Sequence, residues 1–126
     1  MSNTQEGLIT VESATDLSAS IGCFAIINSS AQAALPSANA LVNYVIEDAY
    51  TSGGAYKVVL RPLNPNRNFR VPCLGVVTAA DKIVATAAGK AATATSGGHW
   101  FALAEESGVN GQYVLIRPIG GDQTAS

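Results

Sequence analysis

Few residues in this chain could carry chemistry. His99 is the only histidine, and Cys23 and Cys73 are the only thiols. A metal site or a nucleophile with its base needs several such groups at set spacings, and one histidine supplies neither a second ligand nor a triad. The two cysteines lie about fifty residues apart, outside any CxxC or Cys/His cluster, with apolar neighbours in Ile21, Phe24, Val71 and Leu74. They read as buried thiols acting as small hydrophobes. A disulfide would need an oxidising compartment, and a reactive thiol would need His99 beside it. Glu47-Asp48 and Glu105-Glu106 resemble paired carboxylates only on paper, because adjacent residues on a strand face opposite ways. They read as solvated strand ends leading into turns. No Gly-x-Ser-x-Gly, His-Glu-x-x-His, Gly-x-x-x-x-Gly-Lys or Gly-x-Gly-x-x-Gly pattern occurs, and each of those spacings is what its chemistry requires. The expectation is a protein that is not an enzyme and uses no cofactor, metal or small-molecule substrate.

What the sequence does repeat is punctuation. Residues 22–63 return in looser form as 81–119: an apolar run, a small polar turn, an alanine-rich run, an apolar run ending in acids, a Gly turn, and a strand closing on Arg-Pro. Arg61-Pro62-Leu63 lies over Arg117-Pro118-Ile119, and Gly54-Ala55-Tyr56 over Gly111-Gln112-Tyr113 once Lys57 is allowed as an extra residue. Similarity at a period of roughly forty to sixty residues indicates a duplicated supersecondary unit that does not bury its apolar face alone. The arginines are placed to meet the acidic pairs across each hairpin, and the prolines stop the ladder by removing a donor.

The elements are short and β-rich. The windows 23–27, 43–46, 56–61, 75–78, 82–86, 99–103 and 113–117 carry Val, Ile, Phe or Tyr between Gly, Asn, Ser and Pro, the pattern of an all-β sandwich or barrel. Gly53-Gly54 and Asn110-Gly111 mark hairpin turns, where glycine supplies positive φ. Gly97-Gly98 and Gly120-Gly121 read as a turn and a loose end rather than phosphate cradles. One short helix over 35–43 is the competing assignment, with Ser37 or Asn39 as cap. The predicted fold is thus a small sandwich or barrel of short antiparallel strands, two similar units with at most one short helix. A 1–20 arm precedes a single β domain at 21–121, whose units are joined by a 64–80 connector, and a flexible 122–126 tail follows.

Composition narrows the partners. The chain has 126 residues, 48% of them hydrophobic, 13% charged and 6% aromatic, with a net charge of −2. Small apolar side chains make a thin core and leave an apolar surface that wants a partner, so a homo-oligomer is expected. Seven basic residues in all argue against phosphate neutralisation and hence against nucleic acid. No apolar run reaches the roughly 18–20 residues of a membrane span, and residues 1–18 lack a signal-peptide pattern. A soluble protein used without secretion is expected. The candidate contacts are Arg67, Phe69 and Arg70 in the polar 64–70 loop, which has no counterpart after Ile119, the His99-Trp100 pair, and the N-terminal arm.

The order DKIVAT, AAGK, AATATSGG, FALAEES and NGQYVLIRPI in residues 81–119 resembles the C-terminal unit of phage capsid decoration (cement) proteins. The resemblance covers about forty residues well and the first copy more loosely, on motifs that are compositional. It leaves the N-terminal region and the 64–70 loop unexplained. It implies a virion protein, made in the host cytoplasm, that sits on the outer surface of an icosahedral head, commonly as a trimer. There it would bridge neighbouring major capsid protein subunits and stabilise the shell. The alternative is a phage tail or fibre module binding a host glycan, with Trp100, His99 and Tyr44 as its platform.

Overall fold

The computed structural model describes residues 8–95 and 98–124. Its strands are β1 (Ile9–Ser13), β2 (Phe24–Ile27), β3 (Ala33–Ala34), β4 (Tyr44–Ser52), β5 (Ala55–Pro62), β6 (Phe69–Pro72), β7 (Lys82–Ala85), β8 (Ala91–Thr93), β9 (His99–Ala104) and β10 (Tyr113–Thr124), with one 3-10 turn at Ser18–Ser20. The protein is all-β, as the sequence predicts.

Both halves use one strand order. β1 to β5 form a closed barrel in the order β1-β3-β2-β4-β5, and β6 to β10 form a sheet in the order β6-β10-β9-β7-β8. Adding five to each label in β3-β2-β4-β5-β1 gives β8-β7-β9-β10-β6, the second sheet read backwards. The parallel bridge Ser13↔Ala33 that joins β1 to β3 has its counterpart in the parallel bridge Cys73↔Ala91 between the ends of β6 and β8. Closure of the first unit removes free edges from its short strands, and the second unit is a sheet whose outer elements touch at that one bridge.

The turns repeat with the strands. In unit one, Asn28 N donates to Gln32 O, Ala31 N donates to Asn28 O, and Ala31 has φ 60°. In unit two, Thr86 N donates to Lys90 O, Gly89 N donates to Thr86 O, and Gly89 has φ 76°. The polar side chain that closes the loop, Asn28 Oδ1 or Thr86 Oγ1, accepts the matching amide in each. The Gly53-Gly54 turn between β4 and β5 has both φ values positive, the requirement of a type I′ hairpin.

The repeating unit is longer than its spelling suggests. Unit one begins at Ile9 and unit two at Phe69, so residues 9–13 of the expected arm and 69–72 of the expected connector are first strands. β1 pairs with β5 along its whole length, and its Ile9 and Val11 pack against the unit-one core. β6 pairs with β10 from Phe69 to Pro72. β5 and β10 each need a second neighbour in these five-stranded arrangements, which outweighs the polar sequence flanking the strand that fills the place. The expected tail is likewise strand to Thr124, whose partner is His99. Residues 1–7 of the arm, Gly97 of the expected turn and residues 125–126 of the tail lie outside the described residues. The 35–43 stretch holds no helix: Asn39 takes φ 63° and its amide donates to Ala85 O in the other unit. The expected 75–78 strand makes one bridge, Val77↔Gly108.

Two cores result. Leu17, Ala25, Ala33, Ile46, Val58 and Leu60 fill the first barrel. The second core takes Val71, Ile83, Phe101, Val114 and Ile116 from unit two and Phe24, Val42 and Val45 from unit one, so it runs through the seam between the units. Phe24 N donates to Gly89 O at 2.7 Å, and a Cβ on Gly89 would meet Phe24 O at the same 2.7 Å. The seam therefore requires glycine there, in a conformation that glycine also suits.

Candidate contact surfaces

The reactive-looking residues hold structure. Arg61 Nε donates to Glu47 Oε1 at 2.8 Å, and Arg117 Nε donates to Glu105 Oε2 at 2.8 Å, the same diagonal pair in each unit. Glu47 sits at a bulge in β4, between the pairs Ile46↔Leu60 and Asp48↔Val59. Its carboxyl is held below the ordinary range chiefly by the Arg61 hydrogen bond, against a burial effect that pulls the other way. Arg70 Nη1 donates to Glu106 Oε1, which also accepts the Leu115 amide.

Both cysteines are buried and free. Cys73 Sγ donates to Gln112 O at 3.2 Å. Burial pushes the Cys23 thiol up, against a smaller lowering by Lys90, and a raised thiol is a poor nucleophile at neutral pH.

The expected contact residues separate. Phe69 is 7% exposed and belongs to the unit-two core, so it is not a surface contact. Its position on β6, where alternate side chains face inward, puts it there. Arg67 stacks over its ring, 5.9 Å from the centroid. Lys82 Nζ lies 5.0 Å from the centre of the Trp100 ring, and His99 and Trp100 pair with Thr124 and Gln123 of β10. Tyr44 packs against the unit-one core, on a different unit from that pair. Beside the linker, a cleft of about 380 Å³ is lined by Arg61, Pro62, Leu63, Asn64, Pro65, Asn66 and Arg67. It offers guanidinium and amide groups and no nucleophile.

Large apolar side chains are exposed elsewhere, where sequence reasoning did not look. Val76 is 68% exposed and Val109 55%, with Leu74 nearby. Val77 and Gly108 exchange both backbone hydrogen bonds at 2.9 Å, so their neighbours Val76 and Val109 face one another on the outer side of that bridge. Tyr50 and Tyr56 are exposed on the β4–β5 hairpin at 45% and 39%.

The duplication shows that the Val76 face is not demanded by the fold. Residues 13–17 and 73–77 share one burial pattern: Ser13 and Cys73 buried, three residues exposed, then Leu17 and Val77 buried. The exposed three are Ala14, Thr15 and Asp16 in unit one, and Leu74, Gly75 and Val76 in unit two. One signal was available in the sequence, because 71–80 and 107–116 contain no charged residue.

Among known protein families no family model matches the chain, and no curated protein matches it either.

Proposed function

We propose that the chain is a structural virion protein, a capsid decoration protein that binds the outer surface of an icosahedral phage head in many copies and bridges neighbouring major capsid subunits. The observation that carries this reading is the placement of large apolar side chains on the surface of a chain poor in them: Val76 and Val109 at one end of unit two, Tyr50 and Tyr56 on the unit-one hairpin. A contact protein needs such residues, whereas catalysis needs convergent polar groups. The Arg–Glu pairs tie strands within each unit, which suits a stiff clamp. Modest contacts then act together when many copies share one shell. The resemblance of residues 81–119 to decoration proteins points the same way.

Co-sedimentation tests it. The purified chain should pellet with phage heads made without it, up to a fixed number of copies per head, and should raise the temperature at which those heads release their contents. Failure to pellet at any concentration rejects the reading.

A further inference from the structure

We propose that Asn110 is a deamidation site that the closed fold of unit two holds shut, so that its conversion to aspartate or isoaspartate records opening of the connection between β9 and β10. The inference concerns the chemistry of the chain itself and stands apart from head binding.

Asn110-Gly111 is the only Asn-Gly step in the chain, and both residues are exposed. Asparagine is among the thermolabile residues, and a following glycine has no side chain to shield its nitrogen. In the reaction the Gly111 nitrogen bonds to Asn110 Cγ and the Cγ–Nδ2 bond breaks. The amide leaves as ammonia, taking the proton that the Gly111 nitrogen gives up. Water then adds across one of the two C–N bonds of the five-membered imide. Opening at Cγ leaves aspartate in a normal backbone, and opening at the backbone carbonyl leaves isoaspartate, whose chain runs through Cγ and is one carbon longer.

The fold opposes the first step at both reacting groups. Gln112 N donates to Val109 O at 3.0 Å, and Gly111 has φ 88° with Asn110 outside the positive-φ region. This is a type II turn, in which ψ of the first central residue is positive. Ring closure needs ψ on the negative side, where the Gly111 nitrogen comes against Cγ, so the Asn110–Gly111 peptide must rotate. That rotation pulls the Gly111 N–H off Cys73 O, its acceptor at 2.9 Å. The carboxamide to be attacked is itself anchored by Gly75 N, which donates to Oδ1 at 3.0 Å. Cys73 N also donates to Gln112 O at 2.9 Å, and Val109 N to Gln112 Oε1 at 2.9 Å. The turn is thus clasped to residues 73–75, and the reactive rotation requires local opening. Aspartate keeps an oxygen for Gly75 N, whereas the longer backbone of isoaspartate loses the register of these bonds.

Peptide mapping by mass spectrometry tests it, following Asn110 in the native chain and in the chain unfolded in urea, at one pH and temperature. Parallel samples carry iodoacetamide to label Cys73. That thiol is fully buried and lies against the turn, donating to Gln112 O at 3.2 Å, so its labelling reports the same opening. The unfolded chain should convert Asn110 to both products. The native chain should convert it at least about tenfold more slowly, the factor that accompanies an opening cost of about 1.4 kcal/mol. Across urea concentrations below the unfolding transition, conversion and Cys73 labelling should rise together. A native chain that converts as fast as the unfolded one, conversion that proceeds while Cys73 stays unlabelled, or an unfolded chain that leaves Asn110 intact would each overturn the proposal.

Discussion

Phe24 and Phe101 meet edge to face with ring centroids 4.9 Å apart and planes at 82°, and they come from different units. Phe24 is the unit-one residue that enters the unit-two core most completely, with no exposed surface. Its counterpart on β7, at the start of the strand, is Lys82, exposed and lying over Trp100. The seam is thus one-sided, and no third unit could stack on unit two through the same residue.

Phe24→Ala should therefore destabilise the whole chain by about 3–5 kcal/mol, the usual result of emptying an aromatic core site. Urea unfolding should stay a single transition, because the second core spans the seam. In a double-mutant cycle with Phe101→Ala, the ring pair should show a coupling of about 0.5–1.5 kcal/mol.

Gly89 and Ala31 hold the same turn position at φ 76° and 60°, and they should respond in opposite directions. Gly89→Ala meets the Phe24 carbonyl and adds left-handed strain, a loss of at least about 2 kcal/mol by the usual scale of such clashes and strain. Ala31→Gly relieves strain at an exposed loop and should be neutral or stabilising by up to about 1 kcal/mol. Thermal melts of the two variants check this.

Glu47 gives a pH signature. Its folded pKa lies below its ordinary value of 4.5 because Arg61 donates to the carboxylate, so the native state holds the proton less tightly than the unfolded chain. The resulting stability is complete at neutral pH and fades as pH falls below that ordinary value and through the folded one. Glu47→Gln should lower stability at pH 7 by about 1 kcal/mol, the scale of a pair whose carboxylate stays partly exposed while its arginine is mostly covered. The difference from the parent should shrink to nothing in acid. A constant difference across the acid range would remove the Arg61 pair as its cause.

Arg67, Phe69 and Arg70 should divide sharply. Phe69→Ala empties a buried site and should cost about 3 kcal/mol or more. Arg67→Ala and Arg70→Ala remove surface contacts and should each change stability by about 1 kcal/mol or less. Denaturant midpoints distinguish the three.

The sequence reading was most reliable where chemistry is local. Gly53-Gly54 specifies its hairpin turn through backbone freedom, and Arg61 and Arg117 find Glu47 and Glu105 because strand pairing fixes their distance; Asn110-Gly111 does turn the chain, but within the longer connection from Ala104 to Tyr113 and not as the expected hairpin. It failed where closure decides. Ile9–Ser13 and Phe69–Pro72 are strands because β5 and β10 each need a second neighbour, a long-range requirement that no short window contains. Phe69 looked like a contact for the same reason: its neighbours Asn66, Arg67, Asn68 and Arg70 are polar, and only the strand places it inward. The exposed Val76 face stayed hidden because an apolar residue in a β-rich window reads as core until its neighbours across the bridge are known. The comparison of unit with unit, once the true boundaries are fixed, is what exposes it.

The central claim is that this two-unit β protein is a head-binding clamp, and a density map of phage heads saturated with the purified chain tests it most directly. The account predicts ten-stranded density in regular array on the outer surface, each copy touching more than one major capsid subunit. Heads whose outer surface stays bare after saturation would contradict it.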